Sequence, residues 1–126
     1  MKIKTGSMGF HVAFKVPNSE TKRMEAFLDK HESFMRETHH VEGDIEPIAL
    51  CYAVMKSPEL NNPLDPASGE TGFTLYGLTE IYNSSEGVQM HMQLGQEREK
   101  MFTELVALTN EYCVSGIIGA PVIKSM

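Results

Sequence analysis

Five histidines, 17 acidic side chains and four tyrosines are spread over 126 residues. Imidazole ionises near neutral pH, so each histidine is a candidate for moving a proton. His91 lies in the stretch Val88-Gln89-Met90-His91-Met92, where helical spacing puts Val88, His91 and Met92 on one side and Gln89, Gln93 and Gln96 on the other. A histidine on the apolar side of a helix, aimed at a cavity, can deprotonate a phenol or an enediol. The carbanion that results is electron-rich enough to react with dioxygen without a metal. The competing role is structural: His91 hydrogen-bonded to Glu80, Tyr82 or backbone, locking its helix to a sheet.

Glu80 and Tyr82 share one side of a β-run with Tyr76 and Leu78. Two phenol rings and a carboxylate in a row can grip a hydroxylated aromatic ligand, the rings by stacking and Glu80 by accepting a proton. The other partner for Glu80 is a cation across a subunit interface. His11 lies on the opposite side of its strand from Phe10, Val12 and Phe14. If those apolar residues face helices, His11 points into an enclosed space as a further lining residue. His31, in the middle of a helical apolar stripe, reads as a hydrogen-bonded core group.

His39-His40 with Glu37, Glu42, Asp44 and Glu46 has the composition of a metal cluster but not its spacing. Adjacent histidines cannot project to one side of a regular helix, and no second ligand set at i, i+4 accompanies them. No metal site and no cofactor are expected. GxGxxG, P-loop, GxSxG and HExxH patterns are all missing from the chain, which argues against the usual nucleotide and phosphate chemistries.

The elements that must position these residues follow from periodicity. Residues 9–16 alternate as a strand, ended by Pro17-Asn18-Ser19, which offers an N-cap. Met24, Phe27, Leu28, His31, Phe34 and Met35 recur at helical spacing, predicting an amphipathic helix over about 20–39. Residues 48–55 read as a strand with Ile48, Leu50, Tyr52 and Val54 on one side. Residues 57–72, rich in Pro, Gly and Asn, read as a loop. Residues 73–82 form a strong β-run. Ser84 or Ser85 caps a short helix, a longer helix spans about 97–112, and a strand at 114–123 closes the chain, with Pro121 suggesting an edge or a bulge. The order βαββααβ predicts an α+β, ferredoxin-like domain over residues 1–126, with a four-stranded antiparallel sheet.

The formal charge of −6 and a pI near 5.3 make nucleic acid and anionic membrane surfaces unexpected partners. Cys51 and Cys113 are far apart and outside any CxxC pair, and the start of the sequence lacks an apolar leader segment. Reduced thiols and a cytoplasmic setting are the expectation. The strands are apolar on both sides, and the chain has no helices to spare for a second face. A second copy is the simplest cover, so a homodimer enclosing a dimeric α+β barrel is expected.

The segment Thr79-Glu80-Ile81-Tyr82-Asn83-Ser84-Ser85-Glu86-Gly87-Val88-Gln89-Met90-His91 resembles the corresponding stretch of the antibiotic biosynthesis monooxygenase (ABM-like) family, in which a Glu, an apolar residue and an aromatic precede a turn and a helix carrying His. The resemblance implies a homodimer with an apolar pocket. It also implies a cofactor-independent monooxygenase acting on a small aromatic, quinol-like or enolisable molecule, with His91 as base and His11, Tyr76, Glu80 and Tyr82 lining the pocket. Haem-degrading relatives carry a Trp where His91 stands and a haem-ligating His near the position of Met101. With no Trp in this chain, haem ligation of the family's kind is not expected. The alternatives are a non-catalytic or stress-associated ligand-binding dimer, and haem binding through His91 or His31.

Overall fold

The computed structural model describes all 126 residues. The alternating segment near the start forms β1, Met8–Pro17. A 3-10 turn at Asn18–Glu20 leads into α1, Thr21–Thr38, and then come β2, Ala49–Leu60, and β3, Glu70–Tyr82. Two consecutive helices follow, α2 (Ser85–Glu97) and α3 (Glu99–Tyr112), before β4 (Cys113–Pro121) ends the fold. No helix is long and apolar enough to cross a membrane.

The strands form one four-stranded sheet in the order β2-β3-β1-β4, with every neighbouring pair antiparallel. α1 carries the chain from β1 over to β2 across β3. α2 and α3 carry it from β3 to β4 across β1. This α+β arrangement is compatible with a ferredoxin-like fold.

All six residues of the α1 stripe are buried, from Met24 to Met35, as the helical period predicts. On the sheet they meet Phe14, Val16 and Tyr76 at one end and Phe10 and Tyr82 at the other. Burying one such side chain contributes about 1.5–3 kcal/mol. The layer has two ends. One is the apolar cluster of Phe14, Val16, Met24, Phe27, Leu28, Tyr76 and Leu108. The other is built from Phe10, Phe34, Met35, Ala49 and Tyr82, and it also admits polar groups.

The opposite face of the sheet carries no helix. Cross-strand partners share a face, so Ala13, Cys51, Met55, Leu75, Ile81 and Ile117 lie together there. Met55 is 67% exposed and Ile117 53%.

Three local expectations are corrected. The loop expected over 57–72 is shorter than its composition suggests: β2 continues to Leu60, β3 begins at Glu70, and only 61–69 form a loop. Pairing with β3 overrides the Pro and Gly content, because Pro58 sits on an edge strand where a missing N–H does no harm. The start of α1 has no side-chain cap, as Asn18 instead accepts a hydrogen bond from the Thr74 hydroxyl at 2.8 Å. In β2, an irregularity between Ala49 and Cys51 takes up Leu50. Ala49 then pairs with Tyr82 and Tyr52 with Glu80, so both face the helices, and the expected grouping of Leu50 with Tyr52 is lost.

Candidate functional site

The alternation of β3 sends Glu80 and Tyr82 under the helices, and the neighbouring strand comes unusually close at that point. A Cβ added at Gly9 would lie 2.9 Å from the Glu80 carbonyl oxygen. The side chain of Glu80 is only 4% exposed. Carboxylates are rarely so deeply buried without partners.

Three segments bring imidazoles to it. α1 delivers His31 from the centre of its stripe. α2 is held down at its start: Ser84 Oγ accepts from the Gly87 amide at 3.3 Å and donates to Glu46 Oε1 at 3.0 Å. Gly87 permits this close seating, because a Cβ there would meet Glu46 Oε2 at 2.7 Å and Tyr82 Cδ1 at 3.3 Å. One turn further on, His91 comes over Glu80, its Nε2 at 3.4 Å from Oε1. His39, in extended conformation beyond the end of α1, turns inward to join them.

The hydrogen bonds fix the protons. The Thr38 hydroxyl donates to the Phe34 carbonyl at 2.7 Å, so its oxygen accepts from His39 Nδ1–H at 2.8 Å. His39 Nε2 is thereby an acceptor. Tyr82 directs its hydroxyl proton to Glu80 Oε1 at 2.6 Å, leaving His91 Nδ1–H to donate to His39 Nε2 at 2.9 Å. A neutral His91 therefore presents a bare Nε2 to Glu80. His31 contacts Tyr52 Oη through Nδ1 at 3.0 Å and Glu80 Oε2 through Nε2 at 3.7 Å.

Burial keeps all three histidines neutral. It lowers His31 to about 4. Together with repulsion from neighbouring histidines, it lowers His39 to about 4 and His91 to about 3. Burial pushes Glu80 up to about 7, opposed by the Tyr82 hydrogen bond. Burial, followed by the nearby Glu80 carboxylate, raises the phenols of Tyr52 and Tyr82 well above their ordinary range. At neutral pH the His–Glu contacts are accordingly not salt bridges between full charges.

Between α1 and β2 the surface is cut by a groove in two adjoining parts of about 390 and 400 Å³. Tyr52 lines both parts, and His39 lines the one nearer the end of α1. These two residues touch the buried cluster from behind and the groove from in front.

Of the residues singled out from sequence, His91, Glu80 and Tyr82 come together. Tyr76 lies on the same face but belongs to the apolar end of the core, and its hydroxyl donates to Glu25 at 2.7 Å, away from Glu80. It lines the far part of the groove. His11 is on the opposite face, bonded to Thr79 Oγ1 at 3.0 Å, and does not share a cavity with the others. Within its own chain Glu80 contacts Tyr82, His31 and His91. His31 is a hydrogen-bonded core group, as its stripe position predicts.

His39 and Tyr52 enter the site without having been singled out for it. Tyr52 depends on the β2 bulge, and His39 is inward while the adjacent His40 is exposed. The usable signal was a titratable residue on each of two apolar faces, His31 on the helix and Glu80 on the strand. The two groups of the His39-His40 segment do not act as one cluster.

The fold and site define an α+β domain with a buried carboxyl ringed by imidazoles and phenols behind a surface groove. In comparisons with known proteins, no family model, no curated protein and no solved structure matches the chain.

Proposed function

We propose that this chain is a small monooxygenase of the ABM-like kind, acting on a hydroxylated aromatic, quinol-like or otherwise enolisable molecule. The observation that carries the reading is the buried Glu80, joined through His91 to His39 at the groove. Such a line of groups takes a proton from a substrate hydroxyl or an activated C–H and holds it away from water. The resulting carbanion reduces dioxygen: a CH₂ becomes a C=O, one oxygen atom enters the product and the other leaves as water. The supply of electrons comes from the substrate, so the balance needs no further reductant.

The groove between α1 and β2 takes the substrate, with Tyr52 offering a ring face and Tyr76 reaching its far part. His91 is the central member of the relay and Glu80 its buried end. The setting is cytoplasmic in this reading, and the working unit is a homodimer joined through the helix-free sheet face. That face is too apolar to be left open to water. Sedimentation at working concentration is expected to give a two-chain species, shifted to one chain by Met55→Asp.

The test is oxygen uptake with a panel of hydroquinones and enolisable ketones. Uptake that falls at least about tenfold in His91→Asn supports the reading, a loss within the usual contribution of a positioned acid–base group. No uptake with any member of the panel, or uptake unchanged in His91→Asn, overturns it.

A second reading, a non-catalytic ligand-binding dimer, is favoured by one observation. No fully shielded side-chain nitrogen or oxygen in the chain is left without a hydrogen-bonding partner, which is the condition a purely structural cluster must meet.

A further inference from the structure

We propose that His31, Glu80 and His91 form a site for one divalent first-row transition-metal ion of the zinc, cobaltous or ferrous kind. The inference rests on reading this cluster as the working site, and it names an occupant for it. The three residues come from α1, β3 and α2, and one ligand atom of each lies within 4.8 Å of the other two.

The spacing suits a cation better than a hydrogen bond. His91 Nε2 to Glu80 Oε1 is 3.4 Å and His31 Nε2 to Glu80 Oε2 is 3.7 Å. A charge-assisted hydrogen bond would draw such atoms to about 2.7–2.9 Å. Ligands bound at about 2.0–2.2 Å around one ion sit roughly 3.0–3.5 Å from each other. The two His–Glu separations, each to its own carboxylate oxygen, fall at or just beyond that interval, and the three ligand atoms lie within 4.8 Å of one another, so side-chain shifts of about an ångström close the site.

The donor set and its surroundings point the same way. Two imidazole nitrogens and one carboxylate favour a borderline ion and leave coordination positions open for water or substrate. His91 already has the tautomer a ligand needs, with Nδ1–H donated to His39 and Nε2 bare. His31 is held through Nδ1 by Tyr52, and Glu80 through Oε1 by Tyr82. Outer hydrogen bonds of this sort orient ligating histidines and carboxylates. No lysine or arginine is bonded to Glu80. Arg98 lies over the Phe34 ring and bonds Glu37 at 2.6 Å, and Arg36, at the groove, bonds Glu32 at 3.0 Å. The carboxylate therefore has no resident cation to displace. Tyr52 and His39 connect the site to the groove, which gives an ion and a small ligand a common route in.

The full chain, stripped with a chelator, is titrated separately with Zn²⁺, Co²⁺ and Mg²⁺. One Zn²⁺ or Co²⁺ per chain is expected, Co²⁺ giving visible d–d absorption. Mg²⁺, which demands oxygen ligands and keeps its water, should not compete. Nitrogen-15 spectra of the imidazole rings should show Zn²⁺ moving His31 and His91 while His11 and His40 stay in place. Glu80→Gln should weaken Zn²⁺ by about 100-fold or more, beyond the ~10–100-fold expected for the outer-shell change His39→Gln. If Glu80→Gln does not fold, the ring spectra of the unaltered chain decide alone. Substoichiometric binding, a shift confined to His39 and His40, or unchanged affinity in a folded Glu80→Gln overturns the site. Stoichiometric metal without oxygen uptake overturns the oxygenase reading and leaves the metal site standing. Uptake by the stripped protein without metal binding does the reverse.

Discussion

Glu25 and Glu80 each accept a hydrogen bond from a tyrosine hydroxyl, at 2.7 Å from Tyr76 and 2.6 Å from Tyr82. Their acidities nevertheless move in opposite directions. The Lys56 ammonium and the Tyr76 hydroxyl hold the exposed Glu25 below the ordinary carboxylate range. Burial raises Glu80 to about 7 even though Tyr82 pulls the other way. The two tyrosines stand on the same face of β3, so local bonding is not what separates the carboxyls. Water and a cation reach one and not the other. The contrast extends to the two ends of the core layer. The end around Phe14 and Leu108 is apolar, and the end around Tyr82 holds a carboxyl and several imidazoles. The first end is built to hold the fold together, the second to hold polar groups out of water.

The sharpest way to break that contrast is to remove packing from the apolar end. Phe14 is fully buried. Phe14→Ala should cost about 3–5 kcal/mol in urea denaturation. A cost near zero would mean that this end does not anchor the fold.

Acid should act on the other end. His31 and His39, both lowered to about 4, and His91, lowered to about 3, are neutral when folded, while in the unfolded chain they protonate near their ordinary 6.5. The unfolded chain then binds more protons, and stability falls as pH drops through 6.5. Glu80, raised to about 7, opposes this by holding a proton in the folded state down to the ordinary carboxylate value. Three histidines outweigh one carboxyl, for a net loss of roughly 4 kcal/mol between pH 6.5 and 4.5. Urea midpoints of chelator-treated protein that stay level across this range would contradict the buried, neutral imidazoles.

Glu80→Gln sharpens the comparison further. Above pH 7 the native chain carries an ionised carboxyl in a site that disfavours it, and the amide removes that burden. The variant should be about 2 kcal/mol more stable than the native chain at pH 8, with a clearly smaller gain at pH 5. An equal effect at both pH values would show that the gain does not come from ionisation.

The smallest effect belongs to the exposed partner. Lys56→Met should leave the urea midpoint within error, because surface ion pairs contribute little. It should move the Glu25 carboxyl upward in an NMR titration, since the lysine is the main cause of its low value. An unmoved Glu25 would shift the cause to Tyr76.

Much of the architecture was legible in periodicity. The α1 stripe, the alternation of β1 and β3 and the break between α2 and α3 all follow from residue spacing. That Glu80 and Tyr82 share a side with Tyr76 was equally readable, as was the apolar side of α2 that carries His91. The extension of β2 to Leu60 was hidden, because strand pairing outweighed a local composition that reads as loop. His11 falls on the helix-free side, opposite Phe10 and Phe14 as alternation has it, whereas Glu80 falls on the helix side of the adjacent strand.

By itself, then, the order of residues determined which side chains travel together on each helix and strand, since the 3.6- and 2-residue periods are properties of the backbone. Tertiary structure decided which of those sides meet. A single extra residue in β2 brought Tyr52 to Glu80, and the tight seating of α2 at Gly87 put His91 over the carboxyl. A turn of chain beyond α1 sent His39 inward and His40 out. Contacts of this kind depend on offsets of one residue or a few ångströms between elements distant in sequence, and no periodic pattern records them.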